Sequence, residues 1–209
     1  MDTAWTVFMA ALRLTFQRIW LLLVVNVLWW LFTLPLLTWP PATAAMFHVV
    51  RRLTDQEEAD YTTWRHFFEG FRRYGWQSWQ LMAINLLAGF IFLVAFRFYW
   101  LQAEPLFRII AVSIFCLILL WVSLQLYLFP LLIEQNDKQI RLIFKNAYLL
   151  VLKNLTFTVA FGLLLLSVIL LLSTLTGPLL LIVISFLAVA QTLALQRLLG
   201  LNQPLEKEV

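Results

Sequence analysis

The sequence predicts an all-α integral membrane protein: five transmembrane helices with interfacial amphipathic helices, in one membrane domain spanning residues 1–209. Three observations carry this. First, 63% of the 209 residues are hydrophobic and only 12% are charged, against about 45–50% and about 25% in soluble domains. Second, apolar runs of spanning length recur along the chain. Third, the segments between them set aromatic residues on one helical side and arginines on the other. This composition excludes disordered, fibrous and soluble-enzyme classes. The net charge of +4 reads as positive flanks facing anionic lipid, with no nucleic acid as partner.

Residues 3–17 predict an interfacial helix, because Trp5, Phe8, Met9, Leu12 and Phe16 recur at helical spacing. The first span is expected over 19–38, closed by Pro35, Pro40 and Pro41. A second interfacial helix is expected over 42–53, ending in Arg51 and Arg52. The acidic stretch from Asp55 to Asp60 reads as a solvated turn. Over 63–76, Trp64, Phe67, Phe68 and Phe71 make one face, and Arg65, Glu69, Arg72 and Arg73 the other. This third interfacial helix should lie along the inner leaflet, with Phe67, Phe68 and Phe71 toward acyl chains and Arg65, Arg72 and Arg73 at anionic headgroups. The remaining spans are expected over 77–99, 107–133, 154–174 and 178–199, with Pro130 kinking the third. The first apolar run is too long for a signal core and follows Met1-Asp2, so it reads as a span and not a cleaved leader.

Eleven of the fifteen Lys and Arg residues fall on one side of a five-span arrangement; Arg13, Arg18, Arg97 and Arg108 fall on the other. The positive-inside rule therefore puts the N-terminus outside and the C-terminus in the cytoplasm. Arg18, abutting the first span on its outer end, opposes this locally.

The chemistry of known sites is missing from the sequence. Gly70 and Gly75 have the spacing of a nucleotide loop, yet no Lys-Ser/Thr pair follows. His48 and His66 flank the acidic stretch at a separation unlike that of metal ligands. Cys116 lies mid-span without a histidine, and no Gly-x-Ser-x-Gly occurs. No catalytic residue, metal or cofactor is expected, and the chain reads as no enzyme. The central thirds of the spans carry no ionisable residue, which weighs against a proton-coupled path.

Polar amides remain: Asn26, Asn85, Gln125 and Gln191. The last three each lie eight residues from a cytoplasmic span end, roughly 12 Å deep. All four should turn away from lipid. They read either as interhelical glue, the usual role, or as the lining of a small cavity for a neutral solute. Between the third and fourth spans, Ile140, Ile143, Phe144, Ala147 and Leu150 make one helical side, with Arg141, Lys145 and Lys153 at its edge. Those three are candidates for docking a partner; a plain basic connector is the alternative.

Several blocks resemble a known family. They are Asn26-Val27-Leu28-Trp29-Trp30, Leu34-Pro35, the run from Thr38 through Phe47 and Val49-Val50-Arg51-Arg52. Thr63-Trp64-Arg65-His66-Phe67-Phe68-Glu69-Gly70-Phe71-Arg72-Arg73 follows, then Phe129-Pro130-Leu131, Lys145-Asn146-Ala147 and Lys153-Asn154-Leu155. Together they resemble the YesL-type family, bacterial integral membrane proteins whose domain has unknown function. The resemblance implies no catalytic residues. It implies a bacterial plasma-membrane location and an accessory role beside carbohydrate ABC transporters, with permease subunits or further copies of the chain as partners. A small transporter or channel acting as an oligomer is the alternative.

Overall fold

The structure is a computed structural model that describes residues 4–55, 63–102, 104–173 and 180–201. Among these, every regular element is an α-helix: α1 (Ala4–Gln17), α2 (Ile19–Thr33), α3 (Trp39–Thr54), α4 (Thr63–Trp100), α5 (Pro105–Glu134), α6 (Ile140–Lys153), α7 (Leu155–Ser173) and α8 (Leu180–Leu198). Gln56 to Asp60, the Gly177-Pro178 turn, Lys207 and residue 3 lie outside the described residues.

The helices are apolar and long as a multi-pass membrane protein requires, but two to four of them qualify as spans by length and composition. Helices α4 and α5 qualify alone. Two more qualify only as pairs, α1 with α2 bent by 89° and α6 with α7 bent by 98°. The described apolar stretch of α8, Ile182–Leu198, is shorter than a spanning helix. The first expected span also shrinks. Helix α2 has 15 residues, about 22 Å at the helical rise, where the sequence predicted residues 19–38. Pro35 follows the last turn, Leu36 takes a left-handed φ of 52°, and the Thr38 hydroxyl donates to the Phe32 carbonyl that the ended helix leaves open.

Three of the expected interfacial helices change character. Helix α3 starts at Trp39, with Pro40 and Pro41 in the first turn where a missing N–H costs nothing. It is the most enclosed element. Ala42, Ala44, Ala45, Met46, Phe47, Val49 and Val50 are all buried, because its alanines let α2, α4, α5 and α8 approach closely. The expected surface helix over 42–53 is thus a core helix. The segment over 63–76 and the span over 77–99 are one continuous helix of 38 residues, about 57 Å long. In α1 the packed face is Ala4, Val7, Phe8, Ala11 and Thr15, whereas Trp5, Met9 and Phe16 are exposed; Phe8 meets Phe186 of α8 edge-on.

Helix α3 and the first turns of α4 pack antiparallel. At Gly70 an added Cβ would meet the His48 Cβ at 2.8 Å and the Ala45 Cα at 3.0 Å, so the crossing needs glycine there. Helices α4 and α5 then form an antiparallel hairpin. Gly89 accommodates Trp121, and Phe92–Trp121, Phe96–Phe115 and Tyr99–Phe107 ring pairs follow toward its tip.

Candidate functional site

A cluster of polar groups lies where α3, α5 and α8 end, beside the N-terminal part of α4. The last turn of α3 brings Arg51, Arg52 and Asp55 there. Arg51 donates from Nε to Glu134 Oε2 at 2.6 Å and from Nη2 to Glu134 Oε1 at 3.0 Å, a bidentate pair with the end of α5. It also pairs with Asp55, which accepts from Gln196 Nε2 of α8 at 3.1 Å. The hydrogen bond to Glu134 is the main cause that raises the Arg51 pKa further. Three helix ends are thereby tied by one guanidinium.

Lys138, in the turn after α5, points back into this cluster. Its ammonium donates to the carbonyls of Leu132 at 2.8 Å, Ile133 at 3.0 Å and Gln135. These are among the carbonyls that the end of α5 leaves open, and the cation also meets the negative end of the helix dipole. Nζ sits 5.1 Å from the Tyr74 ring centroid. Burial first, then Arg73, pushes its pKa down to about 8. Lys138 is thus engaged inside the fold and is no part of an outward docking edge.

Between these groups opens a recess of about 290 Å³, lined by His48, Arg51, Arg52, Arg73, Glu134 and Lys138 among others. His48 is buried, and burial lowers its pKa to about 4; Arg52 and Arg73 add to the effect while Glu69 opposes it. The His48 ring therefore stays neutral at physiological pH. Its Nε2 lies 3.9 Å from Glu69, which is 3.5 Å from His66. Among the described residues no three His, Cys, Asp or Glu side chains converge as a metal site. The recess was not legible as a site in the sequence, because its cations come from α3, α4 and a turn more than sixty residues further on.

Of the four amides, two bond to each other and a third bonds to a serine. Gln125 Nε2 donates to Asn85 Oδ1 at 2.8 Å, joining α5 to α4. Asn26 Nδ2 donates to Ser185 Oγ at 2.7 Å, joining α2 to α8. Gln191 is half-buried and bonds to none of the other three amides among the described residues. No single four-amide layer forms.

Of the expected lipid-contact residues, Arg65, Arg72 and Arg73 are exposed, and Phe68 is partly so. Phe67 is fully enclosed, and Phe67 and Phe71 both make tilted ring contacts with Phe32 of α2. Acyl-chain contact at Phe67 is therefore corrected: α2 covers it. On α6, Arg141, Lys145 and Lys153 are exposed, while Ile143, Ala147 and Val151 are buried. Arg197 of α8 donates to Thr6 Oγ1 of α1 at 3.0 Å, so the first turn of α1 stands beside the C-terminal end of α8.

These features are compatible with a class, the helical multi-pass membrane proteins, here with a basic cluster where several helices end. A family model described as "Protein of unknown function, DUF624" matches residues 22–96. That match covers α3, nearly all of α2 and most of α4, including His48, Arg51, Arg52 and Arg73. It is consistent with the resemblance over 26–52 and 63–73, and stops short of the blocks at 129–155. No curated protein and no solved structure matches the chain.

Proposed function

We propose that this chain is a non-enzymatic accessory subunit of a larger membrane assembly in a bacterial plasma membrane. The observation that carries this reading is the α4–α5 hairpin. From Leu86 to Leu124, Ala111 is the one buried residue among those described, and the hairpin offers Leu87, Phe90, Leu93, Ile109 and Val112 outward. A paired arm of this kind suits insertion beside other transmembrane helices or lipid. Permease subunits of a carbohydrate ABC transporter are the partner class that the family resemblance implies. The interhelical amide pairs support this reading over a solute channel, since Asn85 and Gln125 spend polar groups on each other.

In this proposal the basic cluster faces the cytoplasm by the positive-inside rule, and the arrangement comprises five crossings once α8 and both bent pairs are counted. The outward N-terminus that follows from five crossings is opposed by the Thr6–Arg197 bond, which holds α1 beside a basic helix end. Single cysteines placed at Thr6 and at Arg141, labelled from outside intact cells in a Cys116→Ser background, resolve this. Labelling at Thr6 alone supports an outward start; protection of both supports an inward one.

The functional test is native co-purification of the full chain. A stoichiometric set of membrane partners is expected, retained when the exposed α6 residues are conservatively changed and lost in Arg141→Glu, Lys145→Glu if α6 docks them. A lone oligomer carrying a bound solute would overturn the accessory reading in favour of transport.

A further inference from the structure

We propose that the recess between the ends of α3 and α5 and the N-terminal part of α4 binds a phosphate group, held by the guanidinium group of Arg73. This inference is independent of the accessory reading and concerns a ligand, not a partner protein. Among the described residues, Arg51, Arg52, Arg73 and Lys138 line the recess with one carboxylate, Glu134; Glu69 lies 3.9 Å from His48 Nε2, and Arg52 is bonded to the His66 ring at 2.6 Å, so it adds charge and not a free fork. Glu134 is already engaged by the bidentate Arg51 pair. The Lys138 donors are directed at backbone carbonyls, so its charge is held in place and adds to the field without needing to touch a ligand. Arg73 lies over the Tyr74 ring at 5.6 Å and makes no ion pair among the described residues. A positive field of this kind in a partly enclosed space is relieved by an anion.

The wall also holds polar atoms without a hydrogen-bond partner, His48 Nε2 and Gln135 Oε1. The His48 side chain is more than nine-tenths buried. A neutral imidazole has one N–H, and the tautomer protonated at Nε2 donates to an anion oxygen. The Gln135 amide, rotated by half a turn, offers its NH₂ where the oxygen has no partner. A tetrahedral phosphate has oxygens enough to accept from a guanidinium fork, an imidazole and an amide at once; a carboxylate has two. The volume of about 290 Å³ sits at the bottom of the roughly 300–1,000 Å³ range of ligand pockets. It holds a phosphate with a short ester while the remainder of the molecule stays outside. A phosphomonoester lipid headgroup and a soluble phosphate share this chemistry.

The test uses the full chain in neutral detergent, titrated with inorganic phosphate against chloride. In parallel it is reconstituted in phosphatidylcholine nanodiscs with and without phosphatidic acid, and retained lipid is read by native mass spectrometry. Saturable phosphate binding, or preferential retention of phosphatidic acid, is expected. The first outcome identifies a soluble source and the second a headgroup. Arg73→Gln, at an exposed position tolerant of change, should weaken the bound species at least tenfold, and Arg73→Lys should fall between. Arg141→Gln on α6 should leave binding unchanged. Failure of both ligands to bind above the chloride and phosphatidylcholine controls would overturn the proposal. So would Arg73→Gln binding like the wild type, or an equal loss in Arg141→Gln, which would mark a diffuse basic surface in place of a site.

Discussion

The two halves of the α4–α5 hairpin differ in burial, and the better-packed half of α4 is the less apolar one. Toward the basic end, Phe67, Gly70, Tyr74, Ser78 and Leu81 of α4 and Tyr127, Leu128, Leu131 and Leu132 of α5 are buried against α3 and its neighbours. Toward the tip, past the Asn85–Gln125 bond, the helices touch mainly each other through paired rings. Hydrophobicity does not drive the difference, since Arg65, Glu69, Arg72 and Arg73 fall in the packed half of α4 and only Arg97 in the exposed half. In a bilayer a leucine is equally well solvated by lipid, so apolar character by itself does not bring helices together. The packed half is distinguished by small residues that permit close approach, Gly70 and the alanines of α3, and by polar groups that need partners, Arg51, Glu134 and Lys138.

The largest expected effect breaks that contrast at its tightest point. Gly70→Leu forces a side chain into a space where even a Cβ would sit 2.8 Å from His48. It should lower stability by about 3 kcal/mol through overpacking, read as reduced thermal stability in detergent. Leu87→Ala on the exposed arm should change it by less than about 0.5 kcal/mol. A loss at Leu87 matching that at Gly70 would show that the arm is covered by another chain and that the two halves are not different in kind.

Acidification probes the packed half alone. The folded pKa of His48 is lowered to about 4 from 6.5, so the unfolded chain binds the extra proton and the folded chain resists it. Stability from this group is complete above pH 6.5 and is lost as pH falls from there toward 4. Between pH 7 and pH 5 the loss should be about 2 kcal/mol. Thermal unfolding at the two pH values checks it, and His48→Gln should remove that part of the pH dependence. A wild-type slope unchanged in His48→Gln would show that the ring is not held neutral by burial.

The smallest effect lies at the boundary between the halves. Asn85→Leu and Gln125→Leu should each cost about 1 kcal/mol or less, and the double variant should cost little more than either single one. Additive losses would show that the two amides act separately and that their bond does not mark where packing stops.

Some helix positions were legible to within a few residues because apolar run length and proline placement act locally: α5 runs from Pro105 to Glu134 where residues 107–133 were expected, but the expected break between 76 and 77 is absent from α4. The polar amides were legible as inward-facing groups, but not their pairing. Asn26 meets Ser185 and Gln125 meets Asn85, and equal depth along separate helices does not tell which helices are neighbours. Helical faces misled at Phe67 and along α3. An aromatic stripe or an alanine-rich turn looks the same whether lipid or another helix covers it.

By itself the sequence determined a helical, strongly apolar class, the approximate ends of several helices and a net positive charge, since each depends on composition or on neighbours within a few turns. The tertiary structure alone decided that α3 is a core helix, that α4 runs unbroken from its arginines into its span, and that Lys138 turns inward beside Tyr74. It alone placed Arg52, Arg73, His48 and Lys138 around one recess. The physical reason is the same in each case: these outcomes depend on which helix surfaces meet, and in lipid that choice rests on close fit and polar pairing between residues far apart in the chain, which hydropathy does not encode.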